Sequence, residues 1–135
     1  MLRSWWPTGL LLAAGIFAVV TTELLWLGFV LAAVAFLVSP LIFPRSLTHA
    51  SARERSAVDG KPVIYWRPGC QFCLRLRMRL GPAARKAHWV NIWADPDAAA
   101  AVRAIADGNE TVPTVVAGDE ARVNPDPAWV LARVR

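Results

Sequence analysis

An apolar run of 39 residues, Trp5–Phe43, is the feature that most limits what this chain can fold into. Glu23 is its only charged residue. As one helix the run would be about 58 Å long, whereas the hydrocarbon core of a bilayer is only about 30 Å thick. Thr21-Thr22-Glu23 is the only polar cluster inside the run, so we expect the chain to turn there. The run therefore predicts a transmembrane helical hairpin with spans at about 5–20 and 24–43.

The basic residues that flank the run predict its orientation. Arg3 precedes the first span, and Arg45, Arg53 and Arg55 follow the second, whereas the turn carries no Lys or Arg. The positive-inside rule then places both termini in the cytoplasm. A cleaved signal peptide is disfavoured, because residues 18–22 offer no small-x-small cleavage site and a second apolar run would remain. We therefore expect a multi-pass protein of the cell membrane with its C-terminal domain in the cytoplasm.

Small side chains predict where the two helices of the hairpin approach each other. Ala14 and Ala18 lie four residues apart in the first span, as do Gly28 and Ala32 in the second. Small residues at this spacing let helix backbones come close together in a membrane. The hairpin and its flank then occupy residues 1–45.

From Lys61 to the C-terminus the sequence predicts a small α/β domain, and residues 46–60 read as a polar linker before it. Asp95-Pro96 and Asp126-Pro127 are typical pairs of N-cap and first helical residue. Apolar runs and turn residues predict the order β-α-β-α-β-β-α, with parallel crossovers and a final hairpin. The strands are expected at 61–66, 88–93, 113–117 and 121–123, and the helices from residue 70, at about 95–106 and at 128–134. This order is that of the thioredoxin-like layout.

Both cysteines of the chain lie in one C-x-x-C, at the predicted passage from a strand to a helix. Free N–H groups and the helix dipole stabilise a thiolate at Cys70, and Arg67 adds positive charge. We therefore predict that Cys70 attacks disulfides and that Cys73 resolves the mixed disulfide. A structural zinc ion is disfavoured, because it would need two more ligands and His49 and His88 are the only histidines. An inert buried pair is disfavoured by its position at a helix start.

A proline begins the third predicted strand, in the segment Thr111-Val112-Pro113. In a thioredoxin-like layout the Val112–Pro113 bond would be cis and would face the thiols. The backbone of Val112 would then be free to pair with an extended substrate. A trans proline at the start of an edge strand is the alternative.

The pattern Y-x-x-x-x-C-x-x-C followed by T-V-P resembles the glutaredoxin family over Lys61–Arg135. Within that family the runs YWRPGCQFCLRLRMRL and NIWADPDAAAAVRAIADGNETVPTVV, with the later NPDP, are most similar to actinobacterial mycoredoxins. Mycoredoxins reduce mixed disulfides formed with mycothiol, a cysteine-containing sugar thiol. The resemblance implies no bound cofactor and no metal, with mycothiol or glutathione as a co-substrate. The catalytic residues are then Cys70 and Cys73, and the thiol-binding residues are Tyr65, Arg67, Thr111, Val112 and Pro113.

Two departures from ordinary glutaredoxins stand out. Gln71-Phe72 replaces the usual Pro-Tyr between the cysteines. Asn124-Pro125 stands in the region of the Gly-Gly pair that helps glutaredoxins accept glutathione, which is compatible with mycothiol.

The sequence thus predicts a membrane-tethered thiol-disulfide oxidoreductase of mycoredoxin type that acts on a low-molecular-weight thiol and oxidised proteins. A thioredoxin-like reductase of protein disulfides is one alternative, and it would need Cys73. A non-catalytic membrane adaptor would work with Cys70 replaced by Ser, and a third alternative is cluster carriage by a dimer. Part of the net charge of +5 lies beside the apolar run. There it reports membrane topology, so no nucleic-acid partner is expected.

Overall fold

The computed structural model describes residues 6–22, 25–38 and 45–134. The chain divides into two compact units, Met1–Ile42 and Phe43–Arg135. The predicted interfacial anchor at Trp5, the charge at Glu23 and the end of the second span at 39–43 lie outside the described residues.

The first unit contains two apolar helices, α1 (Trp6–Thr22) and α2 (Leu25–Val38), which pack against each other. As far as the structure describes the chain, no helix is long and apolar enough to cross a membrane. The helices have 17 and 14 residues. These lengths correspond to about 26 and 21 Å, against a hydrocarbon core of about 30 Å. The two membrane spans predicted at 5–20 and 24–43 are therefore not supported by the described helices.

The contact between α1 and α2 follows a seven-residue spacing. Its buried residues are Thr8 and Gly15 on α1, and Gly28 and Ala35 on α2. A Cβ atom on Gly15 would lie 3.6 Å from the carbonyl oxygen of Gly28, so the backbones approach closely there. A spacing of seven keeps one stripe of each helix facing its partner.

Of the four residues predicted to lie at this contact, Gly28 is buried in it, and the side chain of Ala18 lies outside the described part of the chain. Ala14 and Ala32 are exposed, because they lie beside the contact stripe rather than in it. The small residues alone did not indicate which of two neighbouring positions faces the partner helix.

The second unit has a four-stranded mixed sheet with the order β2-β1-β3-β4. Strand β1 is parallel to β2 and antiparallel to β3, and β3 is antiparallel to β4. The sheet and its helices fit a thioredoxin-like fold and confirm the predicted order of elements. The strands are β1 (Val63–Trp66), β2 (His88–Asn91), β3 (Thr114–Ala117) and β4 (Glu120–Val123), and the helices are α3 (His49–Asp59), α4 (Gln71–Leu80), α5 (Pro96–Ile105) and α6 (Pro127–Leu131), with a 3₁₀ helix at Gly81–Lys86.

Of the crossovers that were predicted to be parallel, only the one through α4 joins a parallel pair. The crossover through α5 brings β3 antiparallel to β1. The central strand β1 is fully buried, and the largest buried side chains include Trp66, Trp89 and Ile64. Burial on both faces explains why β1 reads as a continuous apolar run.

Residues 46–60, predicted to be a linker, instead belong to the fold of the second unit through helix α3. Thr48 caps the helix by accepting a hydrogen bond from the Ser51 N–H, and Gly60 ends it in the left-handed region at φ 69°. Ala52 is completely buried. The domain therefore does not begin at Lys61.

Backbone contacts continue this attachment along β2. The Leu47 N–H donates to the Trp89 carbonyl at 2.8 Å, and the Asn91 N–H donates to the Ser46 hydroxyl at 2.7 Å. The segment before α3 thus covers polar groups of β2 that would otherwise need other partners.

Candidate active site

The C-x-x-C lies where β1 passes into α4. Pro68-Gly69 turns the chain, with Gly69 at φ 76°, and Cys70 is then the N-cap of α4 in an extended conformation. The Cys73 N–H donates to Cys70 Sγ at 3.1 Å. This bond satisfies one of the free N–H groups of the first helical turn through a sulfur atom. A thiolate at Cys70 would accept the same bond more strongly, because a charged acceptor strengthens a hydrogen bond.

The two cysteines differ in access to solvent. They form a disulfide, with their Cα atoms 5.3 Å apart. Cys73 is completely buried, whereas Cys70 is half-buried. An external sulfur atom can therefore reach Cys70, and Cys73 can react only with its neighbour.

The Val112–Pro113 segment lies beside the thiols. Its peptide bond is cis, as the sequence predicted. Cys70 Sγ lies 3.4 Å from the Val112 carbonyl oxygen. The Thr111 carbonyl accepts a hydrogen bond from the buried Thr114 hydroxyl at 2.7 Å, and this bond holds the loop against β3. The structure thus brings the two cysteines and the T-V-P segment together.

The predicted thiol-binding residue Tyr65 lies in the core instead. Its side chain is only 1 % exposed, and its hydroxyl lies 3.0 Å from Nδ1 of His49 in α3. Burial raises the pKa of Tyr65 above its usual value, and the Asp95 carboxylate adds to this rise, while Arg53 opposes it. A buried ring that bonds α3 cannot line a binding groove, so this prediction is corrected. The spacing of Y-x-x-x-x-C predicts that Tyr65 lies on β1, but it does not predict on which face of the sheet its side chain lies.

Arg67 is half-buried, and its guanidinium carbon lies 5.9 Å from the centre of the Trp93 ring. This arrangement is a cation–π contact between the loops that follow β1 and β2. Trp93 was not among the predicted site residues, and only the parallel pairing of β1 and β2 brings it here.

A groove of about 340 Å³ opens beside the C-x-x-C, lined by Phe72, Arg75, Leu76 and residues 124–127. The Arg75 guanidinium carbon lies 5.6 Å from the centre of the exposed Phe72 ring. On the opposite wall the Asn124 N–H donates to the Pro113 carbonyl at 2.7 Å. That bond ties the wall of the groove to the cis-proline segment. The N-P-D-P run was the only sequence signal for this groove.

The groove is lined by both apolar and polar side chains. Leu76 is buried and Phe72 is 43 % exposed, while Arg75, Asn124 and Asp126 supply charged and amide groups. The Asp126 carboxylate also caps α6 by accepting from the Ala128 N–H at 2.7 Å. Within residues 6–22, 25–38 and 45–134, no cluster of three or more His, Cys, Asp or Glu side chains is placed to hold a metal ion.

The comparison with protein families agrees with this geometry. The glutaredoxin family model matches residues 63–122, from the start of β1 into β4. This segment, which is less than half of the chain, is similar to the glutaredoxin family. Both cysteines and the cis-proline lie inside the match. No curated protein and no solved structure matches the chain. The glutaredoxin domain indicates a thiol-disulfide oxidoreductase, a class that typically works with low-molecular-weight thiols and protein substrates.

Proposed function

We propose that the glutaredoxin domain reduces mixed disulfides between proteins and mycothiol, or a related low-molecular-weight thiol. The observation that carries the proposal is a half-buried Cys70 at a helix N-cap, paired with a fully buried Cys73 and flanked by a groove. In this arrangement only Cys70 can contact the substrate, and the groove offers room for the low-molecular-weight thiol that becomes bound to Cys70.

The reaction proceeds in two exchanges. The Cys70 thiolate attacks the mycothiol sulfur of the mixed disulfide, the sulfur–sulfur bond breaks, and the protein thiolate leaves and takes up a proton. Cys70 is then bound to mycothiol. A second mycothiol thiolate attacks the bound mycothiol sulfur, which releases mycothiol disulfide and restores the Cys70 thiolate. In the net exchange the mixed disulfide and one free mycothiol become a protein thiol and mycothiol disulfide, so the incoming mycothiol is the reductant.

The polar side chains that line the groove support a sugar thiol rather than glutathione. Hydroxyl groups of a sugar can donate to the Asp126 carboxylate and accept from the Arg75 guanidinium and the Asn124 amide. Asn124-Pro125 also replaces the flexible Gly-Gly pair with residues of restricted backbone. Asn124 adopts the left-handed region at φ 47°, and its backbone N–H is bound to the Pro113 carbonyl.

A thiol-preference assay tests this proposal. The full chain in detergent is given one peptide as a mixed disulfide with mycothiol or with glutathione, and kcat/KM for release of the peptide thiol is measured. We expect the mycothiol form to react at least about tenfold faster, the equivalent of about 1.4 kcal/mol of transition-state binding. Asn124→Ala should reduce the preference, whereas Arg79→Gln, on the same helix as Arg75 but outside the groove lining, should leave it unchanged. Equal kcat/KM values for the two substrates would contradict the mycothiol assignment.

A dithiol reductase of protein disulfides is the second candidate. The Cys70–Cys73 disulfide favours it, since Cys73 can displace a bound substrate from Cys70 without another thiol. This route requires Cys73, and the mycothiol route does not.

We also propose that the apolar hairpin holds the domain at the cytoplasmic face of a membrane. Large apolar side chains are exposed on both helices, and large exposed apolar surfaces are unusual on a monomer in water. They include Leu10, Leu12, Ile16, Trp26, Phe29, Val30, Val34 and Phe36. The basic residues outside the turn support the cytoplasmic side, where thiol pools are reducing.

Flotation and a topology reporter test this anchoring. The full chain should float with phosphatidylcholine vesicles and resist extraction at alkaline pH. A reporter that is active only after export should be silent when it is fused after Arg135. An active reporter would contradict the cytoplasmic placement, and recovery of the chain in the unbound fraction would contradict the anchoring.

A further inference from the structure

The positive charge of the second unit is concentrated in one part of the fold. Between Lys61 and Ala94 the sequence contains seven Lys and Arg residues and no Asp or Glu. Asp95–Arg135 contains seven acidic and four basic residues. Five of the first seven cations lie in α4 and the following 3₁₀ helix, namely Arg75, Arg77, Arg79, Arg85 and Lys86.

Four of these cations are exposed and form what we call the basic face: Arg75, Arg79, Arg85 and Lys86, with Met78 between them. Residues 75, 78 and 79 are three and four apart, so they share one side of α4. The buried residues of α4 lie on its other side. Met78 is 65 % exposed, which adds an apolar contact to the middle of the face.

The charge of the basic face is not compensated within the described part of the chain. The ion pairs there join Lys61 and His88 to Asp59, Arg103 to Glu110, and Arg122 and Arg133 to Glu120. None of them involves the basic face. At its edge, partial burial lowers the pKa of the Arg77 guanidinium, and repulsion from Arg85 lowers it further. The exposed cations of the basic face therefore leave positive charge available to an external anion.

We infer that the basic face binds the anionic headgroups of a lipid bilayer. The inference rests on the proposed membrane anchoring, because the hairpin of the same chain exposes an apolar surface suited to lipid. An exposed methionine beside two exposed arginines on α4 matches the boundary between headgroups and acyl chains. Each Lys or Arg near an anionic surface favours binding about fivefold, so Arg79, Arg85 and Lys86 together contribute on the order of 100-fold.

Arginine labelling tests the inference in the full chain. The chain is bound to vesicles of phosphatidylcholine alone or with added phosphatidylglycerol, and phenylglyoxal modification of each arginine is followed by mass spectrometry. We expect labelling of Arg79 and Arg85 to slow about tenfold or more in the anionic vesicles and to recover at about 0.5 M salt, where charges are screened. Arg103 and Arg122, which lie outside the face, are internal controls and should change little.

A charge variant gives the second measurement. Arg79→Gln, Arg85→Gln and Lys86→Gln together should weaken binding to anionic vesicles on the order of 100-fold relative to the unchanged chain. Flotation with phosphatidylcholine vesicles, which reports the hairpin, should stay unchanged. If the chain does not float with phosphatidylcholine, the anchoring proposal fails, and binding to anionic vesicles still measures the basic face alone. Equal labelling in both vesicles overturns the inference, as does protection by polyglutamate but not by anionic vesicles, which would assign the face to an acidic protein.

Discussion

Replacing Asp95 with Ala should remove the hydrogen bonds by which its carboxylate links the N-termini of α3 and α5. One oxygen accepts from the N–H groups of Asp97 at 3.0 Å and Ala98 at 3.3 Å, which caps α5. The other accepts from the His49 N–H of α3 at 2.6 Å. Burial alone would raise the pKa of Asp95, but these three backbone hydrogen bonds and the nearby His49 side chain hold it below its usual value.

The expected loss follows from these two roles. An N-cap contributes about 0.5–2 kcal/mol, and a hydrogen bond to a charged group about 1.5–3 kcal/mol. Asp95 is partly exposed, so values near the lower ends apply and Asp95→Ala should cost about 2–3 kcal/mol. Asp126→Ala removes a cap that bonds only the Ala128 N–H, and this matched control should cost about 1 kcal/mol.

Urea unfolding of the full chain in mild detergent, followed by tryptophan fluorescence, measures both variants. The ionised carboxylate stabilises the fold above the pKa of about 3.9 that an unfolded Asp has, and this contribution is lost as the pH falls through the lower folded value. The difference in the free energy of unfolding between Asp95→Ala and the wild-type chain should therefore become smaller in acid. If Asp95→Ala costs no more than Asp126→Ala, α3 is not part of the cooperative unit and residues 46–60 are a linker after all.

Three further outcomes follow from the same structure. With the disulfide reduced, iodoacetamide at pH 6 should modify Cys70 before Cys73, because only Cys70 is accessible and its sulfur accepts a hydrogen bond from the Cys73 N–H; equal rates would exclude this assignment. Asp59→Asn should cost about 1 kcal/mol at pH 7. Burial alone would raise the pKa of this carboxyl, but hydrogen bonds from the Lys61 N–H and the His88 ring lower it to about 2, so in an acid-unfolding series the cost should shrink as the pH falls through about 2. Tyr65→Phe should lower the free energy of unfolding by about 1 kcal/mol while kcat/KM stays unchanged, and a fall in kcat/KM without a stability loss would restore Tyr65 to the binding site.

Local sequence signals predicted most of the second unit. Pro68-Gly69, Asp95-Pro96 and Asp126-Pro127 each fix the backbone at a helix start, and the apolar run before Pro68-Gly69 is the buried strand β1. Cysteine spacing and the T-V-P segment predicted the contact between Cys70 and Val112 across 42 residues. The helix starts follow from the backbone preferences of a few neighbouring residues. The contact between Cys70 and Val112 follows from the resemblance to a known family.

Helix α3 was missed because only one of its residues, Ala52, is completely buried, so the segment has no apolar periodicity. Its ends did carry signals, since Thr48 is a good N-cap and Gly60 a good C-cap. The role of Tyr65 could not be predicted for a related reason. Which face of β1 meets α3 depends on the packing of α3, and the sequence read that segment as a linker.

The first unit was predicted less well, because hydropathy shows which residues avoid water but does not show where a helix ends. The run to Phe43 is continuous in sequence, but the described part of α2 ends at Val38. The Gly15–Gly28 contact depends on how the two helices are rotated about their axes, and an all-round apolar surface leaves that rotation unspecified.

The most direct test of the proposed chemistry compares Cys73→Ser with Cys70→Ser on a peptide–mycothiol mixed disulfide at saturating mycothiol. Cys70→Ser should abolish release of the peptide thiol, because the only other thiol, that of Cys73, is completely buried. Cys73→Ser should retain full activity or exceed it, because the competing Cys70–Cys73 disulfide can no longer form. The same variant should be inactive on a protein disulfide, which needs the second thiol. An inactive Cys73→Ser on the mycothiol substrate would contradict the single-cysteine mechanism and favour the dithiol reductase.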